Sequence, residues 1–179
     1  MAAANPATIE LPAKTKLYRA SVAMYEGHWF SHDINVAYAY QVLYPDRTVR
    51  QYTSTRKLTL IKILEQQSQD FFNAHYPAIA LVLGRYTACD RELRAANDDN
   101  FEALFADVGR FADDLKLAME RYGLDRIYDG WFIPVGYRRI CGADMHSEVM
   151  LFHPFTITHS EYLANIPPRL LCTAVFPPN

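Results

Sequence analysis

The chain has 179 residues, half of them apolar and 13% aromatic, with a formal net charge of −2. That length suits one domain with a sizeable core, and the composition excludes a disordered or collagen-like chain. The near-neutral charge gives no general attraction to nucleic acid or to an anionic membrane.

Three widely spaced cysteines, Cys89, Cys141 and Cys172, form neither a disulfide framework nor a zinc-binding spacing, so no metal site is expected. A reducing intracellular, cytoplasmic setting is the simplest reading. The first residues do not read as a secretory signal, and no apolar run approaches the roughly 20 residues that span a bilayer.

In chain order, residues 1–14 are small, polar or proline and read as a tail or extended lead-in. Residues 15–179 are then expected to form a single domain. Leu17-Tyr18-Arg19-Ala20-Ser21 has the character of a short strand. Glu26-Gly27 offers a turn into a second extended piece, His28-Trp29-Phe30-Ser31. Asp33 suits the N-cap of a helix carrying Val36, Ala37 and Tyr40, which Pro45 stops.

Val49 to Thr55 alternates, and Leu58 to Ile63 follows it, giving one long strand or two with a break at Arg56-Lys57. A helix from Leu64 ends at Pro77, and residues 78–87 suggest a shorter one. Phe101, Leu104, Phe105, Val108, Phe111, Leu115, Ala118, Met119 and Tyr122 fall on one face of a long amphipathic helix. Asp99 or Asn100 suits its start and Gly123 its end. Strands are expected over 126–133, 148–152, 155–158 and 170–176. Helices between strands at both ends indicate an α+β fold.

The usual signatures for dinucleotide folds, P-loops, esterases and zinc proteases are absent. Three short segments carry what chemistry is legible. Arg19, on a strand, suits bidentate contact with phosphate, although an arginine on an edge strand is also ordinary surface. Trp29 and Tyr40 are ordinary core material, or they sandwich a flat heteroaromatic ring across a cleft. Glu148 opens the apolar run Val149-Met150-Leu151-Phe152. A glutamate there is either a solvated gatekeeper or a carboxylate held to bond a ribose hydroxyl and stabilise positive charge on a sugar. His28 and His32 are four apart in an extended segment, too far for one metal ion, and Arg138-Arg139 beside Tyr137 reads as a solvated loop.

Taken together, the Tyr18-Arg19 strand, the block Gly27-His28-Trp29-Phe30-Ser31 running on to Ala39-Tyr40, and the late Ser147-Glu148-Val149 strand resemble, in order, the motifs of the ADP-ribosyltransferase superfamily. Arg19 and Glu148 resemble its arginine-led toxin branch. The aromatic block resembles the polymerase and diphtheria-like branch. The resemblance implies split antiparallel sheets around a nicotinamide cleft, to which the long helix is an addition.

It also implies NAD as substrate. ADP-ribose would pass to a protein or nucleic-acid acceptor and nicotinamide would leave; the alternatives are an NAD glycohydrolase or an inactive binding domain. By the same resemblance Arg19 holds the phosphate or ribose side, Ser31 supports it, Trp29 and Tyr40 stack nicotinamide, and Glu148 is catalytic. His146, two residues before Glu148, stands where family members carry Glu or Gln and implies an acceptor-orienting role. Thr53-Ser54-Thr55 is another candidate for the second motif. Ser31 is preferred for its aromatic and helical surroundings.

Overall fold

The computed structural model describes residues 3–21, 28–97, 99–133, 148–154 and 158–162. The fold is α+β and the chain divides into two compact units, Met1–Thr8 with Ile61–Tyr128, and Ile9–Leu60 with Asp129–Asn179. The boundaries fall inside the first and fifth strands.

The first unit is helical. Helices α2 (Gln66–His75) and α3 (Pro77–Arg94) are separated by Tyr76 alone. Pro77 sets that break: it has no N–H to continue α2, yet suits the first turn of α3. The short helix expected over 78–87 is therefore an 18-residue helix. Helix α4 (Phe101–Arg121) buries Phe101, Val108, Ala112, Leu115 and Met119, while Leu104, Phe105, Phe111 and Ala118 lie half-buried on the flanks of the stripe. Tyr122 is exposed and packs edge-on against Tyr76, with ring centroids 5.5 Å apart.

Asn100 occupies the cap position of α4, but its side chain accepts from the Asn97 amide at 3.0 Å instead of capping the helix. Gly123, with φ of 75°, takes the left-handed position that ends the helix. It leads into a 3₁₀ turn, Leu124–Arg126, whose Leu124 carbonyl accepts from the amides of Ile127 and Tyr128. Those bonds are why the strand expected from Arg126 begins only at Gly130.

The second unit is mostly β-structure. The lead-in contributes a strand, β1 (Thr8–Leu11), within a five-stranded sheet of order β1-β5-β6-β7-β3. Its other members are β5 (Leu58–Lys62), β6 (Gly130–Ile133), β7 (Glu148–Leu151) and the two-residue β3 (Trp29–Phe30). A separate three-stranded sheet has the order β2-β4-β8, formed by β2 (Lys16–Ser21), β4 (Thr48–Ser54) and β8 (Thr158–Tyr162). Expected strand character at 126–133, 148–152 and 158 is thus present in β6, β7 and β8. The expectations for 155–157 and 170–176 lie outside the described residues.

Leu17, Phe30, Tyr52, Leu58, Leu60, Phe132, Val149 and Leu151 form one apolar cluster drawn from both sheets. Each fully buried large side chain of this kind stabilises the fold by about 1.5–3 kcal/mol. Helix α1 (Ile34–Leu43) starts directly after Asp33, as its cap chemistry suggested, and packs on β2 and β4.

Two residues align β7. Gly130 pairs with Leu151, and a Cβ at position 130 would lie 1.7 Å from the Met150 carbonyl oxygen, so only glycine lets the strands approach this closely. Asp129 is the second. Its amide donates to Thr59 O, its carboxylate accepts from Thr59 N and Arg56, and its carbonyl accepts from Phe152 N. One residue thereby joins β5, β6 and the end of β7. Among the described residues, no helix is long and apolar enough to cross a membrane.

Candidate functional site

The three motif segments lie on adjoining strands of the second unit. Tyr18 on β2 and Ser31 exchange both backbone hydrogen bonds, each 2.8 Å, in an isolated antiparallel bridge. The chain of Ser31 continues β3, which pairs with β7 through Trp29–Met150 and Phe30–Val149. One further step in that register sets Ser31 against Glu148, the first residue of β7. On the other side of β7, Glu148 faces Ile133 of β6.

Strand alternation then decides which side chains share a face. Trp29, Ser31 and Glu148 fall on the face that carries Trp131 and Met150. The contact of Trp29 with Trp131, edge to face at 5.8 Å, fits this assignment. Phe30 and Val149 fall on the opposite face, in the apolar cluster. Glu148 is 7% exposed, so it is not a solvated gatekeeper.

His28 anchors the segment. Its backbone carbonyl accepts from Leu151 N, and its Nδ1 lies 2.8 Å from Leu151 O, which requires a proton on that nitrogen. The His32 ring lies beside Phe132, and burial pushes its pKa below the ordinary histidine value.

Ser31 has a local task as well. Its buried Oγ accepts from the Asp33 amide at 3.0 Å, which turns the chain from the bridge into α1. Tyr40 sits half-buried on that helix, beyond the buried run Val36, Ala37 and Tyr38.

Arg19 is half-buried on β2, one residue past the bridge, with Cζ 5.5 Å from the centre of the Phe30 ring. The alternation of β2 therefore groups Arg19 with Leu17 and Ser21, and sets Tyr18 on the side of Ser31. Ser21 was not picked out from the sequence. It is 2% exposed, and its Oγ has no hydrogen-bond partner among the described residues. The available signal was its spacing of two from Arg19, which places both on one strand face.

The second serine-threonine motif has a different geometry. Ser54 is fully buried at the far end of β4, where Oγ accepts from Thr15 N at 3.0 Å and reaches Pro12 O at 3.2 Å. It holds the turn that precedes β2. Thr53 pairs with Lys16, three residues from Arg19, or roughly 10 Å along a strand.

His146, Cys141, Cys172 and Arg138-Arg139 lie outside the described residues. Cys89 belongs to the helical unit; burial first, then the nearby Asp107 carboxylate, push its thiol pKa up, so it is not a ready nucleophile. Comparison with protein-family models, with curated proteins and with solved structures gave no match.

Proposed function

We propose that the chain is an NAD-dependent ADP-ribosyltransferase acting inside the cell on a protein or nucleic-acid acceptor. The observation that carries this reading is the strand row β2, β3, β7. Segments that resemble the superfamily's three motifs, the third more than a hundred residues beyond the first two along the chain, adjoin through the Tyr18–Ser31 bridge and the β3–β7 pairing. Two sheets that part company at this bridge also suit the split arrangement that the resemblance implies. The geometry of Ser31 favours it over Ser54 as the second motif, because Ser31 bridges to β2 and directly follows the strand that pairs with β7.

In this reading Trp29 and Tyr40 flank the nicotinamide ring. Arg19 holds the phosphate or ribose side of the dinucleotide, and Ser31 supports the turn beneath the pocket. Glu148 accepts a hydrogen bond from the 2′-hydroxyl of the nicotinamide ribose. Its negative charge stabilises the oxocarbenium-like transition state as the glycosidic bond loosens. Nicotinamide leaves with the bonding electron pair, and the acceptor nucleophile attacks the anomeric carbon and gives up its proton. His146 would orient that acceptor.

The test is incubation of the whole chain with NAD labelled in its adenylate half, together with cell lysate. Label on macromolecules supports transfer. Free ADP-ribose identifies a glycohydrolase, with water as acceptor in the same site. Neither product identifies an inactive binding domain. Glu148→Gln keeps the size and hydrogen-bonding capacity of the side chain but removes its charge. We expect it to keep the fold and NAD affinity and to cut turnover by about two to four orders of magnitude, the scale of losing a transition-state electrostatic contact. Full turnover in this variant would exclude Glu148 as the catalytic carboxylate.

A further inference from the structure

The chain has two tryptophans, and register brings them together. Trp29 on β3 and Trp131 on β6 both pair with Met150 of β7. The three side chains therefore stand in one row on one face of the five-stranded sheet. The two indoles meet edge to face, with planes at 76°.

The pair is unequal. Trp131 is 0% exposed, lies on a strand with a neighbour on each side, and meets Phe152 edge-on at 6.2 Å. Trp29 is half-buried, on a strand of two residues at the end of the sheet order. Among the described residues, the ring that meets it is Trp131. A fixed indole thus braces one that has fewer restraints of its own. An edge-to-face neighbour takes at most one face of a ring, which leaves surface on Trp29 for a ligand.

The next row on the same face sets Glu148 opposite Ile133. Glu148 is a diagonal neighbour of both tryptophans, about 7–8 Å away between Cα atoms. A flat ring lying on Trp29 would therefore have a buried carboxylate one register step away. Of the aromatic side chains, indole attracts a cation most strongly. Indole beside carboxylate suits a flat heteroaromatic ring that carries positive charge.

We propose that Trp131 is a positioning residue, which holds the Trp29 indole at the angle that receives a flat cationic ring beside Glu148. In the proposed transferase that ring is the nicotinamide of NAD, whose ring nitrogen is positive until the glycosidic bond breaks. The inference rests on that reading for the identity of the ring. The part played by Trp131 rests on the register and the ring contact. Its effect is order before binding: an indole already fixed loses little freedom when the ligand arrives, and a loose one loses more.

The experiment uses the full chain and 1-methylnicotinamide, a nicotinamide ring with its charge and without the dinucleotide. Binding is read as quenching of tryptophan emission, which in a chain lacking Trp131 comes from Trp29 alone. KM and kcat for NAD are measured alongside. Trp131→Leu should weaken the probe about three- to tenfold, the scale of ordering one large side chain on binding. KM for NAD should rise by a similar factor with kcat within twofold, the pattern of lost binding. Trp131→Phe keeps a ring edge and should bind the probe more tightly than Trp131→Leu. If Trp131→Leu does not fold, Trp131→Met, unbranched and adaptable in shape, takes its place. A purely structural role would lower the thermal midpoint and leave probe affinity and KM unchanged.

A loss of less than threefold in the folded non-aromatic variant overturns the inference. So does a Trp131→Phe chain that binds no better than that variant, and so does a wild type that the probe does not quench. The two proposals fail separately. Probe binding that depends on Trp131, with no NAD turnover, leaves the ring site standing and removes the transferase. NAD turnover with unchanged KM in Trp131→Leu removes the part played by Trp131 and leaves the transferase.

Discussion

The two units of this chain each bury a carboxylate, and they do so in different ways. In the helical unit Asp90 is 4% exposed and bonded at 2.8 Å by Arg94, one helical turn further on. The compensating charge is local, and the spacing of four writes it into the sequence. In the β unit Glu148 is 7% exposed at the start of β7, and the residues beside it come from Ile133 and, by continued register, Ser31. The helical unit places its charge to close a structure. The β unit brings segments that are distant in the chain, those of Trp29 and Glu148, onto neighbouring strands.

Substitutions sharpen this contrast. The largest loss of stability should come from Leu115→Ala in α4, where the side chain is fully buried. Removing it leaves a cavity and should cost about 2–5 kcal/mol by urea denaturation. In a chain still folded at assay temperature, Leu115→Ala should leave nucleotide affinity unchanged. A loss of affinity would count against the proposed placing of the nucleotide on the β unit.

Gly130→Ala comes next, at about 1–3 kcal/mol, because the added methyl meets the Met150 carbonyl and pushes β6 and β7 apart. Here function should suffer as well, since β7 carries Glu148. If Gly130→Ala lowered the denaturation midpoint but left NAD turnover intact, the alignment of β7 would not matter to the chemistry.

The smallest effect concerns pH. Burial lowers the His32 pKa in the folded chain, so the unfolded chain binds the proton more readily. The stabilisation from a neutral His32 is therefore fully present above the ordinary value of 6.5 and is lost progressively as pH falls below it. Urea midpoints at pH 7.5 and 5.5 should show a drop in the wild type. His32→Phe should flatten that drop, and an unchanged slope would show that other groups cause it.

The same contrast explains what the sequence disclosed. In the helical unit the stripe from Phe101 to Met119 has the period of a helix, and Pro77 and Gly123 mark boundaries by backbone chemistry alone. The miss there was the length of α3, because Gly84 and the polar residues after it weaken the pattern although nothing in the structure interrupts the helix. In the β unit strand character was legible at residues 17–21, 49–54 and 148–151, but pairing was not. Nothing local says that Tyr18 bridges Ser31, or that Trp131 meets Trp29. Those facts depend on register between segments far apart in the chain. Trp131 and Ser21 were passed over for that reason, and the strand at Thr8–Leu11 was hidden in a segment whose prolines and small residues resemble a tail.

The Tyr18–Ser31 bridge has a further meaning for motion. Each sheet has its own ladder, and this residue pair links β2 to the end of β3 by two hydrogen bonds. Breaking those two bonds leaves both ladders whole. The apolar cluster shared by the two sheets must also part before this seam opens, so the amides of Tyr18 and Ser31 would report a costly opening by hydrogen exchange. A ligand that touches both β2 and β7 would hold the seam shut, so its binding would be read as slower exchange at two amides it need not contact.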